Sequence, residues 1–166
     1  EIKPFVRPPI VQRLDIATAS PGVIERFRVV MTENATGNEA MVPVMVLRAE
    51  QASPIVGITA AIHGNELNGI RVIHQLFEHL ARTCLLRGTV VAVPIINIPG
   101  YLRQQRTFED DVDLNRIMPG KPNGNESALY AHRVMDRVIR GLDYLIDLHT
   151  ASFGRANSLY VRADMK

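Results

Sequence analysis

The chain has 166 residues, of which 46% are hydrophobic and 22% charged, and its formal net charge is +2. This composition is typical of one globular domain and excludes a disordered chain, which has fewer apolar residues and a larger net charge. The lysines and arginines are spread out rather than clustered, so we expect no nucleic-acid partner. No apolar run reaches the roughly 20 residues of a membrane span, so we expect no membrane partner either.

Cysteine use indicates a compartment. Cys84 is the single cysteine of the sequence, so no disulfide can form within the chain. That pattern is typical of a reducing environment, and we expect a cytoplasmic protein. Because Cys84 follows an apolar helical stretch, we expect it to be a buried structural thiol.

The N-terminal third predicts a β-hairpin after an extended segment. Residues 1–22 are rich in proline and weakly patterned, and we interpret them as an extended lead-in. Val23–Met31 and Ala40–Ala49 are rich in valine and methionine, and the turn-type residues 33–38 lie between them. This pattern is typical of two antiparallel strands. Pro43 cannot donate a ladder hydrogen bond, which predicts that the second strand lies at an edge.

Strands and helices alternate after residue 54. This alternation favours an α/β fold with a mainly parallel sheet, preceded by the antiparallel hairpin. Between the second strand and the second helix, residues 97–124 show no clear period and predict a long, functional loop. The predicted strands are 55–62, 89–96 and 142–148, and the predicted helices are 66–82, with Asn65 as cap, and 126–140, with Asn125 as cap.

Residues of the types that ligate metal ions follow two of the predicted parallel strands. His63 and Glu66 come directly after strand 55–62, and His149 comes directly after strand 142–148. Ligands bind at the carboxyl ends of the strands in open α/β sheets, and two histidines with one carboxylate form a common catalytic zinc set. Iron, cobalt and manganese suit the same ligands. The alternative for His63 is a hydrogen-bonded histidine at the start of a helix.

Asp147 supports the interpretation of His149. Residues two apart on a strand share a face, so Asp147 points in the same direction as His149. A metal-bound imidazole commonly donates its other N–H to a carboxylate, and Asp147 could accept that hydrogen bond or could hold a neighbouring group in the site. The alternative is an exposed aspartate at the edge of the sheet, although Asp147 lies in an otherwise apolar strand.

The long loop carries residues suited to an anionic substrate. Asn115 and Arg116 are adjacent, and an arginine with a neighbouring amide can hold a carboxylate. Arg106 lies upstream and could face the oxyanion of a tetrahedral intermediate. The alternative is a solvated loop of mixed charge, and the residues alone do not decide between the two.

Three ordered motifs together indicate a family. His63-Gly64-Asn65-Glu66 is followed by Asp113-Leu114-Asn115-Arg116 and then by Asp147-Leu148-His149. This order resembles the succinylglutamate desuccinylase/aspartoacylase family, a branch of the zinc carboxypeptidase-like enzymes. The resemblance covers roughly residues 23–162. It implies a three-layer α/β/α sandwich with a mainly parallel, mixed sheet.

The resemblance also implies roles. His63, Glu66 and His149 would bind one Zn²⁺. Asn115 and Arg116 would bind a substrate carboxylate, and Arg106 would stabilise the oxyanion. The family's general-base glutamate and its C-terminal β-domain follow in a segment that this chain lacks. We therefore expect residues 23–166 to form the N-terminal part of a catalytic domain.

The function implied is zinc-dependent hydrolysis. We expect a deacylase that cleaves an amide bond of an N-acyl amino acid, or of a similar carboxylate-bearing small molecule, with a zinc-activated water. The alternatives are a carboxypeptidase or an esterase on the same scaffold, and a non-catalytic module that binds metal or ligand. The sequence does not name the acyl group, and it leaves a homo-oligomer open.

Overall fold

A computed structural model describes residues 6–33, 37–84, 87–152 and 155–164. Its centre is a six-stranded mixed sheet with the strand order β1-β2-β3-β5-β4-β6. The strands are β1 Ile10–Val11, β2 Ile24–Glu33, β3 Glu39–Arg48, β4 Ile55–Ala60, β5 Thr89–Val93 and β6 Tyr144–Leu148. The helices are α1 Asn68–Thr83, α2 Ile98–Arg103, α3 Leu114–Ile117 and α4 Glu126–Val134, and α4 continues into a π-type turn, Met135–Ile139.

The sheet combines a parallel half and an antiparallel half. β4 pairs in parallel with β5 on one side and with β6 on the other. β2 and β3 form the predicted antiparallel hairpin, and β3 also pairs with β5 in antiparallel register. The prediction of an α/β fold with a mixed sheet after a hairpin is therefore confirmed.

Helices cover both faces of the sheet. Side chains alternate along β3, so that Val46 joins one hydrophobic cluster and Leu47 joins the other. Tyr130 of α4 packs in the first cluster, and Phe77 of α1 packs in the second. The two helices therefore lie on opposite faces, which gives three layers. None of the helices in the described ranges is long and apolar enough to cross a membrane.

Two expectations about the N-terminal third need correction. The described part of the predicted lead-in, residues 6–22, is not simply extended, because it contains β1, parallel to β2, and a 3-10 turn at Ile16–Thr18. β3 is not an edge strand along its whole length, since residues 45–48 pair with β5. Pro43 lies outside those paired residues, opposite Arg28, where its missing N–H costs no bond to β5.

The first helix starts later than predicted. α1 begins at Asn68 and lacks a side-chain cap, so Asn65 is not its N-cap. The backbone N–H of Glu66 instead donates to the carbonyl of His63 at 3.0 Å in a separate turn. The predicted cap of α4 is confirmed, because Asn125 accepts a hydrogen bond from the N–H of Ala128.

Other differences concern exposure and short helices. The segment 97–124 is not a plain loop, since it holds α2 and α3. Cys84 is exposed rather than buried, and β6 is a partly exposed edge strand rather than a core strand. Residues 158–162 pair with no strand among the described residues. The centre of the predicted hairpin turn, residues 34–36, lies outside the described residues.

Candidate metal centre

Three side chains of the types that ligate metal ions lie together at the carboxyl edge of the sheet. His63 and Glu66 lie in the loop between β4 and α1, and each is only 3% exposed. His149 comes directly after β6, with its side chain 33% exposed. One ligand atom from each residue lies within 4.8 Å of the others. Among the residues described, this is the one group of three histidine, cysteine or acidic side chains close enough to share an ion.

Glu66 connects the two histidines. Its Oε1 lies 3.0 Å from Nδ1 of His63, and its Oε2 lies 3.3 Å from Nδ1 of His149. The two imidazole rings meet edge to face, with centroids 5.0 Å apart. The backbone N–H of Thr150 donates to Oε2 at 2.8 Å and fixes the carboxylate further. All three predicted metal ligands are therefore brought together.

Gly64 allows this loop to form. A Cβ built on Gly64 would lie 2.0 Å from the carbonyl carbon of Gly100 and 2.3 Å from the nitrogen of Tyr101. Both neighbours are backbone atoms of α2, which cannot move aside as a flexible side chain could. The close approach presses the loop of His63 and Glu66 against the start of α2, and only glycine fits there.

Asp113 holds the far side of His63, a role that the sequence analysis missed. Its Oδ1 lies 3.1 Å from Nε2 of His63 and also accepts the N–H of Asn115, which caps α3. Burial alone would raise the pKa of Asp113, but the neighbouring His63 and Arg106 outweigh it and lower that pKa below its ordinary value. The Asp-Leu-Asn-Arg motif contained the signal, although nothing in the spacing linked Asp113 to a histidine 50 residues away.

Asp147 lies where the strand alternation predicted. Its Oδ1 accepts a hydrogen bond from the hydroxyl of Thr59 at 2.7 Å, and its Oδ2 lies 2.6 Å from Nε2 of His149. The hydrogen bond to Asp147 is the main cause that raises the pKa of His149, ahead of the opposing effect of burial. Each imidazole therefore has Glu66 at Nδ1 and an aspartate at Nε2.

Arg106 reaches the same centre from the loop after α2. Its Nη1 donates to Oε1 of Glu66 at 3.3 Å, and its Nη2 lies 3.1 Å from Oδ2 of Asp113. Nη1 also lies 3.2 Å from the hydroxyl of Ser152, a contact that no pattern in the sequence predicts. A guanidinium thus stands beside the candidate metal ligands.

Asn115 and Arg116 lie at the outer rim. Both belong to α3 and are exposed, and the side chain of Arg116 is 82% exposed. The nearest acidic partner of Arg116 is Asp113, with Nε 3.7 Å from Oδ2. Asp113 contacts both His63 and Arg116, so one side chain separates Arg116 from the candidate metal ligands. The exposed side chains of Asn115 and Arg116 can donate hydrogen bonds toward solvent.

The donor chemistry fits a zinc ion. Two imidazole nitrogens and one carboxylate oxygen are a set that zinc uses when it keeps a further position open. The aspartates at the outer nitrogens of His63 and His149 match the carboxylate–histidine arrangement that orients metal-bound imidazoles. The same set suits other divalent ions, so the chemistry indicates a metal without fixing its identity.

Fold and site together define an α/β protein with a His-Glu-His centre of metal-binding type at the carboxyl edge of a mixed sheet. Residues 52–166 match the family model of the succinylglutamate desuccinylase/aspartoacylase catalytic domain. The chain therefore belongs to the succinylglutamate desuccinylase/aspartoacylase family. The predicted family resemblance is thereby confirmed.

Named relatives agree with this family. The chain is 32% identical to an N-alpha-acetyl-L-2,4-diaminobutyric acid deacetylase from Halomonas elongata, over 71% of this chain and 34% of that protein. It is 32% identical to a succinylglutamate desuccinylase from Photorhabdus laumondii, over 61% of this chain and 35% of that protein. The chain thus spans about a third of the length of the curated relatives that it matches.

Solved structures share the fold. An aspartoacylase family protein from Mesorhizobium loti superposes with a TM-score of 0.71 at 27% identity, over 82% of this chain and 42% of that one. A metallo-carboxypeptidase from Burkholderia cenocepacia superposes with a TM-score of 0.58 at 21% identity, over 77% of this chain and 36% of that one, a level of identity that shows the fold alone. The prediction of a carboxypeptidase-like α/β fold is confirmed.

Proposed function

We propose that this chain carries the metal centre of a zinc-dependent deacylase, which cleaves an amide bond of an N-acyl amino acid or a similar carboxylate-bearing small molecule. The observation that carries the proposal is the convergence of His63, Glu66 and His149 within 4.8 Å. Membership of a desuccinylase and aspartoacylase family supports the class of reaction. Two relatives that are deacylases by name support the class of substrate.

The ligand roles follow from the contacts around the centre. His63, Glu66 and His149 would hold the ion, and Asp113 and Asp147 would keep both imidazoles in one tautomer and orientation. Zinc in such a site supplies Lewis acidity, which activates water and polarises a carbonyl near neutral pH. The protein's part is to hold the substrate carbonyl beside this centre.

Arg106 is the candidate for that positioning step. Its guanidinium contacts Glu66 and Asp113, which supports a position close to a substrate carbonyl bound at the proposed metal ligands. Donors fixed in advance at such a position stabilise an oxyanion without reorganising during the reaction.

Asn115 and Arg116 are the candidates for holding the substrate's carboxylate. Both are exposed at the rim, and Arg116 has only a 3.7 Å contact to Asp113 to give up. An arginine fork binds a carboxylate through two parallel hydrogen bonds, which fixes the orientation of the substrate as well as its affinity. Substrates without a carboxylate should therefore bind poorly.

We further propose that residues 23–166 are the N-terminal part of the catalytic domain, in a cytoplasmic protein. The family model begins at residue 52, and the hairpin β2–β3 continues the same sheet through its pairing with β5. The activity of the whole protein, the acyl group and any oligomer belong to this proposal. The metal centre can be tested first because its ligands all lie in this chain.

Metal content is the first test. Protein purified without chelator should contain about one zinc per chain by mass spectrometry, in line with a single three-ligand site. The double variant His63→Ala/His149→Ala should lose it. The matched control is His74→Ala/His79→Ala, which removes two exposed histidines of α1 and should keep the zinc. Zinc lost from the control and kept in the first variant would contradict the proposal.

Substrate class is the second test. Binding to the zinc-loaded protein is compared by titration calorimetry for N-acetyl and N-succinyl amino acids, the matching esters and dipeptides. The proposal expects the N-acyl amino acids to bind most tightly and binding to be lost when the substrate carboxylate is amidated. Preference for dipeptides would support the carboxypeptidase alternative, and stoichiometric zinc with no binding of any of these compounds would support a metal-binding module.

A further inference from the structure

Asn97 is a fully buried polar residue with no role in the chemistry described so far. It follows β5 and precedes α2, and its exposed fraction is 0%. A buried amide is costly unless its hydrogen-bonding groups are satisfied, so its partners indicate what it does.

The side chain of Asn97 connects three segments. Its Oδ1 accepts the N–H of Gly100 at 2.9 Å and so caps α2. Its Nδ2 lies 3.2 Å from the carbonyl of Ile62 and 3.2 Å from the carbonyl of Thr107. A longer contact of 3.5 Å reaches the carbonyl of Arg106. The two N–H groups of the amide are thus directed at the two 3.2 Å partners.

Those partners adjoin the candidate centre on both sides. Ile62 directly precedes His63, and Thr107 directly follows Arg106. The backbone N–H of Asn97 also donates to the carbonyl of Ala61 at 3.0 Å, so the connection to the metal-ligand loop is doubled. One buried amide therefore fixes the backbone that carries Arg106 to the backbone that carries His63.

The packing leaves little freedom at this junction. A Cβ on Gly100 would lie 2.5 Å from Nδ2 of Asn97 and 2.6 Å from the carbonyl oxygen of Thr107. The same glycine lies against Gly64 of the metal-ligand loop. The amide is therefore held in place by backbone on several sides, and a side chain without an amide NH₂ group cannot restore both contacts of Nδ2.

We infer that Asn97 is a positioning residue, which fixes the guanidinium of Arg106 relative to His63 and Glu66. The inference rests on the proposed function, in which Arg106 stabilises the oxyanion. Without the contacts of Nδ2, the segment of residues 106–107 is released from Ile62. The 3.2 Å hydrogen bond from Nε of Arg106 to Asp113 should then open more often.

Two variants separate this role from helix capping. Asn97→Asp and Asn97→Ser both keep an oxygen that can cap α2 at Gly100, but neither can donate to the carbonyls of Ile62 and Thr107 together. Asn97→Ser is the second variant in case the carboxylate of Asn97→Asp prevents folding. The matched control is Tyr130→Phe, which removes a buried 2.6 Å hydrogen bond to the neighbouring carbonyl of Ile96.

The readout is the Nε–H resonance of Arg106 in ¹⁵N-labelled, metal-free protein, assigned with Arg106→Lys. We expect its hydrogen exchange to become about tenfold faster or more in the Asn97 variants and to change little in Tyr130→Phe. Zinc affinity, measured by competition with a chromogenic chelator, should fall about tenfold in the Asn97 variants relative to the control. Urea unfolding of all three variants shows whether the control matches their loss of stability.

The outcomes separate the two proposals. Folded Asn97 variants with the same Arg106 exchange as Tyr130→Phe would overturn the positioning role. A wild-type chain that binds no zinc, but whose Arg106 resonance still responds to Asn97→Ser, would overturn the proposed function and leave the positioning role standing.

Discussion

The two histidines of the candidate centre have very different surroundings. His63 is 3% exposed and lies in a loop pressed against α2, whereas the side chain of His149 is 33% exposed. His149 ends β6, an edge strand whose residues 144–146 are 47–65% exposed. One half of the centre is fixed by internal packing, and the other half depends mainly on its carboxylate partners. We therefore expect similar substitutions on the two sides of the centre to have unequal effects.

The largest effect is expected on the packed side. Gly64→Ala places a methyl group 2.0 Å from backbone of α2, and we expect a loss of about 3 kcal/mol in the free energy of unfolding. Zinc binding should be lost with it. Gly57→Ala is the matched control, because its Cβ meets Cδ1 of Leu142 at 2.3 Å, which can rotate away. Urea unfolding of Gly57→Ala should show a loss of about 1 kcal/mol in the free energy of unfolding. Equal losses in both variants would contradict the packing argument.

The next largest difference is expected between the aspartates that contact Nε2 of the two histidines. Asp113→Asn removes the carboxylate behind His63 and also loosens Arg106, so we expect zinc affinity to fall about 100-fold. Asp147→Asn removes the partner of the more exposed His149 and should cost about tenfold. Competition with a chelator measures both. A larger loss in Asp147→Asn would reverse the comparison and identify the β6 side as the more critical one.

A substitution of Arg116 tests substrate binding at the rim without changing the candidate metal ligands. Arg116→Ala should weaken binding of N-acyl amino acids by about 1.5–3 kcal/mol, since a charge-assisted bond to the substrate carboxylate is lost. Zinc content should stay unchanged. Arg103→Ala, which removes a half-exposed arginine of α2 near Glu109, serves as the control. Titration calorimetry that gives the same affinity for N-acyl amino acids in both variants would remove Arg116 from the site.

The smallest effect is expected on the protonation of His149, the more exposed histidine of the centre. In metal-free protein, proton NMR should show His149 titrating above its ordinary pKa of 6.5, mainly because of Asp147. Asp147→Asn should lower that pKa. Since the folded-state pKa is raised, the stability contributed by His149 is fully present below about pH 6.5 and is lost as pH rises through the raised value. A pKa of His149 that Asp147→Asn leaves unchanged would contradict the assigned cause.

Local patterns in the sequence were enough to predict much of the molecule. The β-branched runs and the turn residues between them predicted the hairpin, and alternation of strands and helices predicted the α/β sheet. His63, Glu66 and His149 were predicted together because parallel strands bring their carboxyl ends to one edge. Asp147 followed from the two-residue alternation of a strand.

Features set by tertiary packing were not predictable from such patterns. Asp113 meets His63 only because the loop after α2 folds back over the sheet, and no periodicity records that contact. α2 and α3 are too short to show a helical period. Pro43 indicated an edge strand, yet β3 is interior where residues 45–48 pair with β5. The burial predicted for Cys84 failed because the helix ends there with its side chain toward solvent.

We propose that the packed half and the exposed half of the centre bind one ion together. Anomalous diffraction at the zinc edge, on crystals of the zinc-loaded chain, locates that ion. We expect a single strong peak at bonding distance from Nδ1 of His63, the carboxylate of Glu66 and Nδ1 of His149. A peak at the exposed histidines of α1, or a peak bound by His149 without His63, would contradict it.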